Sequence, residues 1–256
     1  MNGNKIIILG SSSGLPQAGR ACSGYALKTG DSLSLIDCGG GVTSSFLRRG
    51  LNPLAVERIF ISHTHPDHVI ELPLFLQLLH LEKRREPVKL YLPADFVEPM
   101  RRFLPALYII EDKLPFELDI VGYEEGFEYN DVFKLKAVGN KHLKAYKELI
   151  EINQLSNKMQ CCSFDIEIDG KRVFYSADIA TYDDIRPHLD GRDVVILEST
   201  HVALEEFIEH ARSISVGRYV ITHLGTDEEV GEINRMISKA GLDNVTTAVD
   251  GMEIPL

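Results

Sequence analysis

Several features are scarce or missing in this sequence, and each scarcity narrows what the chain can be. No apolar run approaches the ~20 residues of a membrane span, so no spanning segment is expected. The start of the chain offers one lysine and then only Ile6-Ile7-Ile8-Leu9. That is too short for a signal-peptide core and lacks a cleavage pattern, so a cytoplasmic protein is expected. Positive charge is in deficit: 27 Lys and Arg stand against 38 Asp and Glu, a formal charge of −11. An extended nucleic-acid surface needs a basic excess, so bulk nucleic-acid binding is disfavoured, while a local patch remains allowed. Only four cysteines occur, Cys22, Cys38, Cys161 and Cys162, without CxxC spacing, and they read as reduced packing residues. The small-residue loop Gly10-Ser11-Ser12-Ser13-Gly14-Leu15-Pro16 lacks the Gly-Lys-Ser/Thr ending of a Walker motif. It reads either as a phosphate cradle of backbone N–H groups or as a tight connection. No internal repeat or low-complexity linker divides the 256 residues, and one α/β domain over 1–256 is expected.

What is present is a concentrated cluster of ligand-type side chains. In Ile59-Phe60-Ile61-Ser62-His63-Thr64-His65-Pro66-Asp67-His68 an apolar, β-prone run stops at Ser62. Three histidines and one aspartate follow within six residues. A strand ending in such a cluster delivers side chains to one point at a sheet edge. Imidazoles crowded in one turn repel each other once protonated. A divalent metal removes that conflict by giving neutral imidazole and carboxylate a shared positive partner. Pro66 lacks a backbone donor and stiffens the loop between the two halves of the cluster.

Around this cluster the pattern is strands first, then strands alternating with helices. Strands are expected at 5–9, 24–28, 33–36, 58–61, 88–92, 116–121 and 132–138. Cys162 to Ile168 and Arg172 to Ser176 flank Asp169-Gly170, a hairpin signal. Further strands are expected at 194–197, 218–222 and 245–248. Helices are expected at 43–49, closed by Gly50, at 69–81, at 94–104 before Pro105, at 204–212 and at 227–240. The glycines of Asp37-Cys38-Gly39-Gly40-Gly41 allow close backbone approach. Residues 143–159 read as a mostly helical insertion, with Leu143, Tyr146, Leu149, Ile150 and Ile152 at near-helical spacing. Lys83-Arg84-Arg85 reads as a solvated helix end, with a phosphate-backbone contact as the alternative. Beyond the 63–68 cluster, His142, Asp178 and His223 also stand at strand ends. Taken singly, His142 reads as an exposed loop residue, Asp178 as an N-cap and His223 as a cap or packing residue. His80, His188 and His210 have no such context and read as structural or surface residues.

His63-x-His65-x-Asp67-His68 resembles the signature of the metallo-β-lactamase-fold hydrolases. Lys141-His142, Tyr175-Ser176-Ala177-Asp178 and Ile221-Thr222-His223-Leu224 match that family's later motifs in order, and the resemblance runs from about Ile6 to His223. It implies an αβ/βα four-layer sandwich with the metal site at one edge of the two sheets. By position it implies His63, His65 and His142 on one metal, Asp67, His68 and His223 on a second, and Asp178 bridging them. Two divalent ions are expected, Zn²⁺ first, with Mn²⁺ or Fe as substitutes. Such a pair shares a hydroxide nucleophile and clamps the attacking and leaving oxygens of a displacement. Leu9-Gly10-Ser11-Ser12-Ser13-Gly14-Leu15-Pro16, Gly19-Arg20-Ala21-Cys22-Ser23-Gly24-Tyr25 and Leu35-Ile36-Asp37-Cys38-Gly39-Gly40-Gly41 are similar to the tRNase Z and phosphodiesterase branch. The expectation is therefore a phosphodiesterase acting on a phosphate ester or another small hydrolysable substrate. RNA is admissible as a substrate, and homodimers are frequent in the family.

Two departures stand out. The His-Glu-Ala-Thr element of the tRNA-processing enzymes, whose His is the proton donor, reads Leu197-Glu198-Ser199-Thr200 here, with His201 the next imidazole. His201 and Glu198, with Asp67, are the candidate catalytic residues, Glu198 as a partner for a ligand histidine or else a surface carboxylate. A Gly/Pro-rich basic arm of the kind that grips tRNA is also missing, so tRNA 3′ processing is allowed but not favoured. The alternatives are carboxyl-ester, lactone or thioester hydrolysis on the same metal pair, or a non-hydrolytic iron oxygenase or metal-binding interaction protein. The His65/Asp67/His68 arrangement opposes the diiron oxygen-reductase pattern, where a Glu stands in place of the second His.

Overall fold

A computed structural model describes residues 3–256. Fourteen strands form two sheets of seven among these residues. The first sheet contains β1 (Lys5–Gly10), β2 (Gly24–Thr29), β3 (Ser32–Cys38), β4 (Val56–Phe60), β5 (Val88–Pro93) and β6 (Leu118–Tyr123). The second contains β7 (Glu128–Asn130), β8 (Lys134–Gly139), β9 (Cys162–Ile168), β10 (Lys171–Tyr175), β11 (Arg192–Glu198), β12 (Val216–Thr222) and β13 (Val245–Thr247). The last strand, β14 (Glu253–Pro255), returns to pair with β1 in the first sheet. Helices α1 (Val42–Arg48), α2 (Pro66–Val69), α3 (Leu72–Leu81) and α4 (Val97–Ala106) belong to the first half. Helices α5 (Lys147–Ile152), α6 (Leu204–Ala211) and α7 (Asp227–Ala240) belong to the second.

The layering follows from strand alternation. Successive side chains face opposite sides of a strand, so a strand buried on both faces reads as a continuous apolar run. In β1, Ile6 and Ile8 enter the core between the sheets. Ile7 and Leu9 face outward against α1 and α3, with Phe46, Phe75 and Leu76. In the second sheet Val173, Tyr175, Val194 and Ile196 face the inter-sheet core. Phe174, Val195, Leu197 and Tyr219 face outward, with Phe207 of α6 and Ile237 of α7. The result is helix, sheet, sheet, helix, the four-layer sandwich that the motifs imply. Among the described residues no helix is long and apolar enough to cross a membrane.

Several local expectations change on contact with tertiary structure. Asp169 and Gly170 both take positive φ, as the Asp-Gly hairpin requires. The helix expected over 69–81 is interrupted at Ile70–Glu71. There the Glu71 carboxylate accepts from the N–H groups of Gly41 and Thr43 and so caps α1. Pro73 consequently falls in the first turn of α3, where its missing donor costs little. Pro105 lies inside the last turn of α4 rather than beyond it. The spacing that suggests a helix through 159 holds only to Ile152, and the chain then runs irregularly to Cys161. The short edge strands β7 and β14 had no counterpart in the periodicity.

Two charge and loop readings are settled. Lys83 and Arg85 are exposed, but Arg84 is buried, against the expectation of a solvated run. Its guanidinium donates to the carbonyls of Leu54, Glu86 and Pro87, three acceptors that a bending chain would otherwise leave unpaired. The Gly10–Pro16 loop is a tight connection and not a phosphate cradle. Its N–H groups at Ser11, Ser12 and Ser13 donate to Asp250, Ala21 and Leu224. All four cysteines are buried and free.

Candidate metal centre

Parallel pairing brings the right strand ends together. β3 runs parallel to β4, so Asp37 and the 61–68 segment leave the first sheet at one edge. β10, β11 and β12 are mutually parallel, so Asp178, Glu198 and His223 leave the second sheet at one edge. His142 follows the end of β8. Three non-glycine residues along this rim take positive φ: Asp37, Ala177 and His223. Left-handed backbone at such residues costs energy and is held only where the surroundings over-determine it. At Gly39, a Cβ would lie 1.9 Å from the carbonyl oxygen of Asp67, so glycine alone permits this loop to press against the cluster.

The seven side chains singled out in the sequence converge into two overlapping groups. His63, His65, His142 and Asp178 form one, and Asp67, His68, Asp178 and His223 the other. Nε2 of His142 lies 3.1 Å from Nδ1 of His65 and 3.6 Å from Oδ2 of Asp178. Nε2 of His63 lies 3.8 Å from the same oxygen. In the second group, Nε2 of His223 lies 3.1 Å from Oδ2 of Asp67 and 3.4 Å from Oδ1 of Asp178. Nε2 of His68 is 3.6 Å from Asp67 Oδ2 and 3.2 Å from Asp178 Oδ1. Donors about 2.0–2.1 Å from one tetrahedral cation are about 3.3 Å apart, and these spacings scatter around that value. Asp178 turns one oxygen to each group.

The donor chemistry fits cations as well. Nε2 of His63, Nε2 of His68 and Oδ1 of Asp178 are buried and have no hydrogen-bond partner. A buried polar atom without a partner costs free energy, and here three of them point into one small space. His68 Nε2 and Asp178 Oδ1 are near enough but not aligned for a hydrogen bond. A pair of divalent ions would give all three a partner.

The atoms behind the donors fix their orientation. Nδ1 of His68 lies 2.8 Å from Oδ2 of Asp37, which leaves Nε2 for the centre. Asp37 also accepts from the Ser62 N–H and hydroxyl and from the Tyr175 hydroxyl, at 2.7–2.8 Å. Ser62 Oγ lies 3.1 Å from Nδ1 of His63. Nδ1 of His223 is 2.9 Å from the Thr200 hydroxyl. Sequence reasoning assigned no role to Asp37 or Thr200. A carboxylate ending the apolar run Leu33–Ile36 was the available signal, because a buried carboxylate must find donors.

Glu198 departs from expectation. Its Oε2 is 4.0 Å from His223 Nδ1, whose partner is Thr200 instead. Glu198 is nevertheless buried, which removes the surface-carboxylate alternative. Its oxygens accept from the N–H groups of Thr200 and His201, and Oε1 lies 3.1 Å from His201 Nδ1. The His201 ring stands 4.7 Å from that of His142 at the mouth of the cluster. Leu197, one residue before Glu198 and on the opposite strand face, is packed in the outer core. Of the remaining histidines, His210 bonds the Tyr182 hydroxyl and His188 stacks on Phe174. His80 lies in the last turn of α3 and is not among the converging donors.

Charge within the cluster is sharply partitioned. Burial holds His63 well below the ordinary imidazole range, and the neighbouring His68 adds to the effect. Burial likewise lowers His65, and brings His142 to about 4 despite Asp178. For His68 burial is outweighed by Asp178 and Asp37, which raise it well above the ordinary value. For Asp178 burial is outweighed by His68 and His223, which hold it well below the carboxylate range. Asp67 is lowered because the His223 hydrogen bond and His68 overcome burial. The hydrogen bond to Glu198 raises His201.

Two seven-stranded sheets between helical layers, with imidazole and carboxylate donors gathered on their common rim, define the class: a metal-dependent hydrolase of the metallo-β-lactamase fold. A model of the Beta-lactamase superfamily domain matches residues 34–224, and the chain belongs to that superfamily. It is distantly homologous to ribonuclease Z. The Ribonuclease Z of Picrophilus torridus is 26% identical over 247 residues, covering 84% of this chain and 79% of that protein. Among solved structures, the metallo-beta-lactamase fold protein YhfI from Bacillus subtilis superposes with a TM-score of 0.79 at 18% identity, over 99% of both chains. The short form of human tRNase Z gives 0.73 at 20% identity, over 98% of both chains.

Proposed function

We propose that this chain is a dinuclear metal-dependent phosphodiesterase. The observation that supports it most is Asp178, whose two oxygens each sit at ligand spacing from a separate set of donors. His63, His65 and His142 would hold one ion, and Asp67, His68 and His223 the other. Imidazole-rich sets favour Zn²⁺, with Mn²⁺ and Fe as substitutes. When bound, such a pair supplies a hydroxide nucleophile at neutral pH and offsets the charge that develops on phosphoryl oxygens. The distant ribonuclease Z homology favours a phosphoester over a carboxyl ester.

The chain's own residues supply the rest. Asp37, Ser62 and Thr200 orient the ring nitrogens of His68, His63 and His223 before substrate arrives. His201 stands in as proton donor for the histidine that is absent at position 197, where this chain has Leu197. Its Nδ1 is held by Glu198, so Nε2 is the atom left to protonate the departing alcohol. Phosphate esters are the expected substrates, and a tRNA precursor is the RNA to try first.

The test begins with metal content. Protein purified without added metal should hold close to two ions per chain, and should cleave bis-p-nitrophenyl phosphate in preference to a p-nitrophenyl ester or a lactone. His65→Ala and Asp178→Ala should lose metal and activity while keeping their circular dichroism. Ester or lactone turnover alone would replace this reading with the carboxyl-ester one. Full metal and full rate in either variant would overturn the ligand assignment.

A further inference from the structure

Residues 142–160 build a second recognition element beside the cluster. A cavity of about 260 Å³ opens between this segment and the first sheet's loops, and His65 lines both the cavity and the metal centre. Its wall from the segment is apolar: Leu143, Tyr146, Ile150, Leu155 and Met159. The Tyr146 ring stands edge-on to that of His65, 5.7 Å between centroids. The opposite wall holds Thr64 and Asp95, and Asn157 completes the rim.

The wall is pinned in place. The Lys158 N–H donates to Asp95 at 2.7 Å. The Gln160 amide donates to the Tyr123 carbonyl at 2.6 Å and accepts from the Ala94 N–H. Met159, between these two anchors, takes φ of 60°, a strained conformation for a methionine. A segment tied at both flanks and bent against its preference holds Met159 and Leu155 towards the cavity. Leu149, Ile152 and Leu155 are more than half exposed, so this apolar surface is not used to stabilise the chain itself.

We propose that this cavity is a substrate subsite that takes one ester group, a single uncharged aromatic or apolar ring attached through oxygen to the hydrolysed centre. The inference rests on the phosphodiesterase reading and narrows its substrate. Three observations fix the occupant. The cavity shares His65 with the metal centre, so a group bound there is one short linkage from the reacting atom. Its volume is near nine water volumes and below the roughly 300–1,000 Å³ of drug-sized sites, which suits one ring system and not a nucleic-acid helix. Its lining contains the Asp95 carboxylate and neither Lys nor Arg, so it repels a second phosphate and accepts a neutral ring.

The absence of tryptophan from the sequence allows a direct test. Tyr146→Trp places a unique fluorophore in the wall, and Tyr108→Trp, at a position 88% exposed, serves as the control. The probe is 4-nitrobenzyl alcohol, a neutral quencher that carries no phosphate. Saturable quenching of Tyr146→Trp is expected, against only a linear response from Tyr108→Trp. Leu155→Asp in the Tyr146→Trp background should weaken the saturable response by about tenfold or more, from loss of apolar contact and added charge. Leu155 is exposed, so this variant should fold; Ile150→Ala provides a second, uncharged substitution with the same expected direction. Leu155→Asp should also raise KM for bis-p-nitrophenyl phosphate with little change in kcat. Identical linear quenching at both positions, or saturable quenching indifferent to Leu155→Asp and Ile150→Ala, would overturn the subsite. Quenching by a single-stranded RNA oligonucleotide but not by the nitrobenzyl alcohol would do the same. Saturable, Leu155-dependent quenching in a protein that cleaves no phosphodiester would leave the subsite standing and remove the phosphodiesterase reading alone.

Discussion

Asp37 and His68 meet at 2.8 Å, carboxylate Oδ2 to imidazole Nδ1, at the base of the metal centre. Both are buried, and Asp37 also accepts from Ser62 and Tyr175. Asp37→Asn keeps the size and tolerates the left-handed backbone at this position, where Asn is among the few comfortable residues. It cannot accept from all four donors. Metal affinity at the Asp67, His68 and His223 set should fall about 10–100-fold. Metal titration of the chelated variant checks this; unchanged affinity for both ions would show that Asp37 does not set the His68 geometry.

The chelated protein should be acid-sensitive in a defined window. His63, His65 and His142 have depressed values in the folded state, His142 about 4. An unfolded imidazole binds its proton near pH 6.5, so the unfolded state takes up protons first as pH falls. The stability these residues contribute is present above about 6.5 and is lost as pH drops towards 4. His68 is raised, so its contribution is already complete below about 6.5 and stays constant through the window. Asp67 is lowered and Asp178 is held well below the carboxylate range, so both lose their contribution only at lower pH. Urea midpoints of chelated protein should therefore decline from pH 7 to pH 4.5. A flat profile would contradict the neutral assignment of the three histidines.

His201→Ala should separate metal binding from turnover. The two ions should remain, while kcat for a phosphodiester with a poor leaving group falls about 10²–10⁴-fold, the usual range for lost general acid catalysis. Substrates with good leaving groups, which need no proton, should be affected far less. Glu198→Gln should follow the same pattern more weakly, since it holds the His201 ring and does not touch substrate. Equal losses across leaving groups would assign His201 a binding role instead.

Arg84 offers a stability prediction remote from the chemistry. Arg84→Met removes the donors from three carbonyls near the start of β5. A cost of about 2–4 kcal/mol is expected in urea unfolding, with metal content of the folded protein unchanged. A neutral result would mean that water replaces the guanidinium there.

Legibility in the sequence tracked how local each signal was. The 63–68 cluster, the Asp169-Gly170 hairpin and the apolar runs of β9 and β12 are encoded within a few residues, and the structure places them as expected. The convergence of His142, Asp178 and His223 became visible only through their order behind the cluster, because nothing in a lone strand-end histidine states its neighbours. Asp37 and Thr200 were missed because their roles depend on side chains 23 to 138 residues away. Glu198 was expected beside a ligand histidine, and its side-chain hydrogen bond goes to His201 for a related reason. Its choice between His201 and His223 is decided by where the Thr200 hydroxyl falls. Arg84 looked like one member of a charge run, yet the chain bends around it. Three-residue edge strands such as β7 and β14 are too short to show a period.

The donor atoms are divided between the two sheets. His63, His65, Asp67 and His68 come from the first, and His142, Asp178 and His223 from the second. Each proposed ion would thus be gripped from both sides of the central seam, and neither half of the chain would offer a full set alone. A cation in this place would act as a rivet between halves, and its affinity would gauge how tightly they close. A cavity cut into the seam far from the rim, as by Phe164→Ala, should then register first as weakened metal retention, before any sheet is lost.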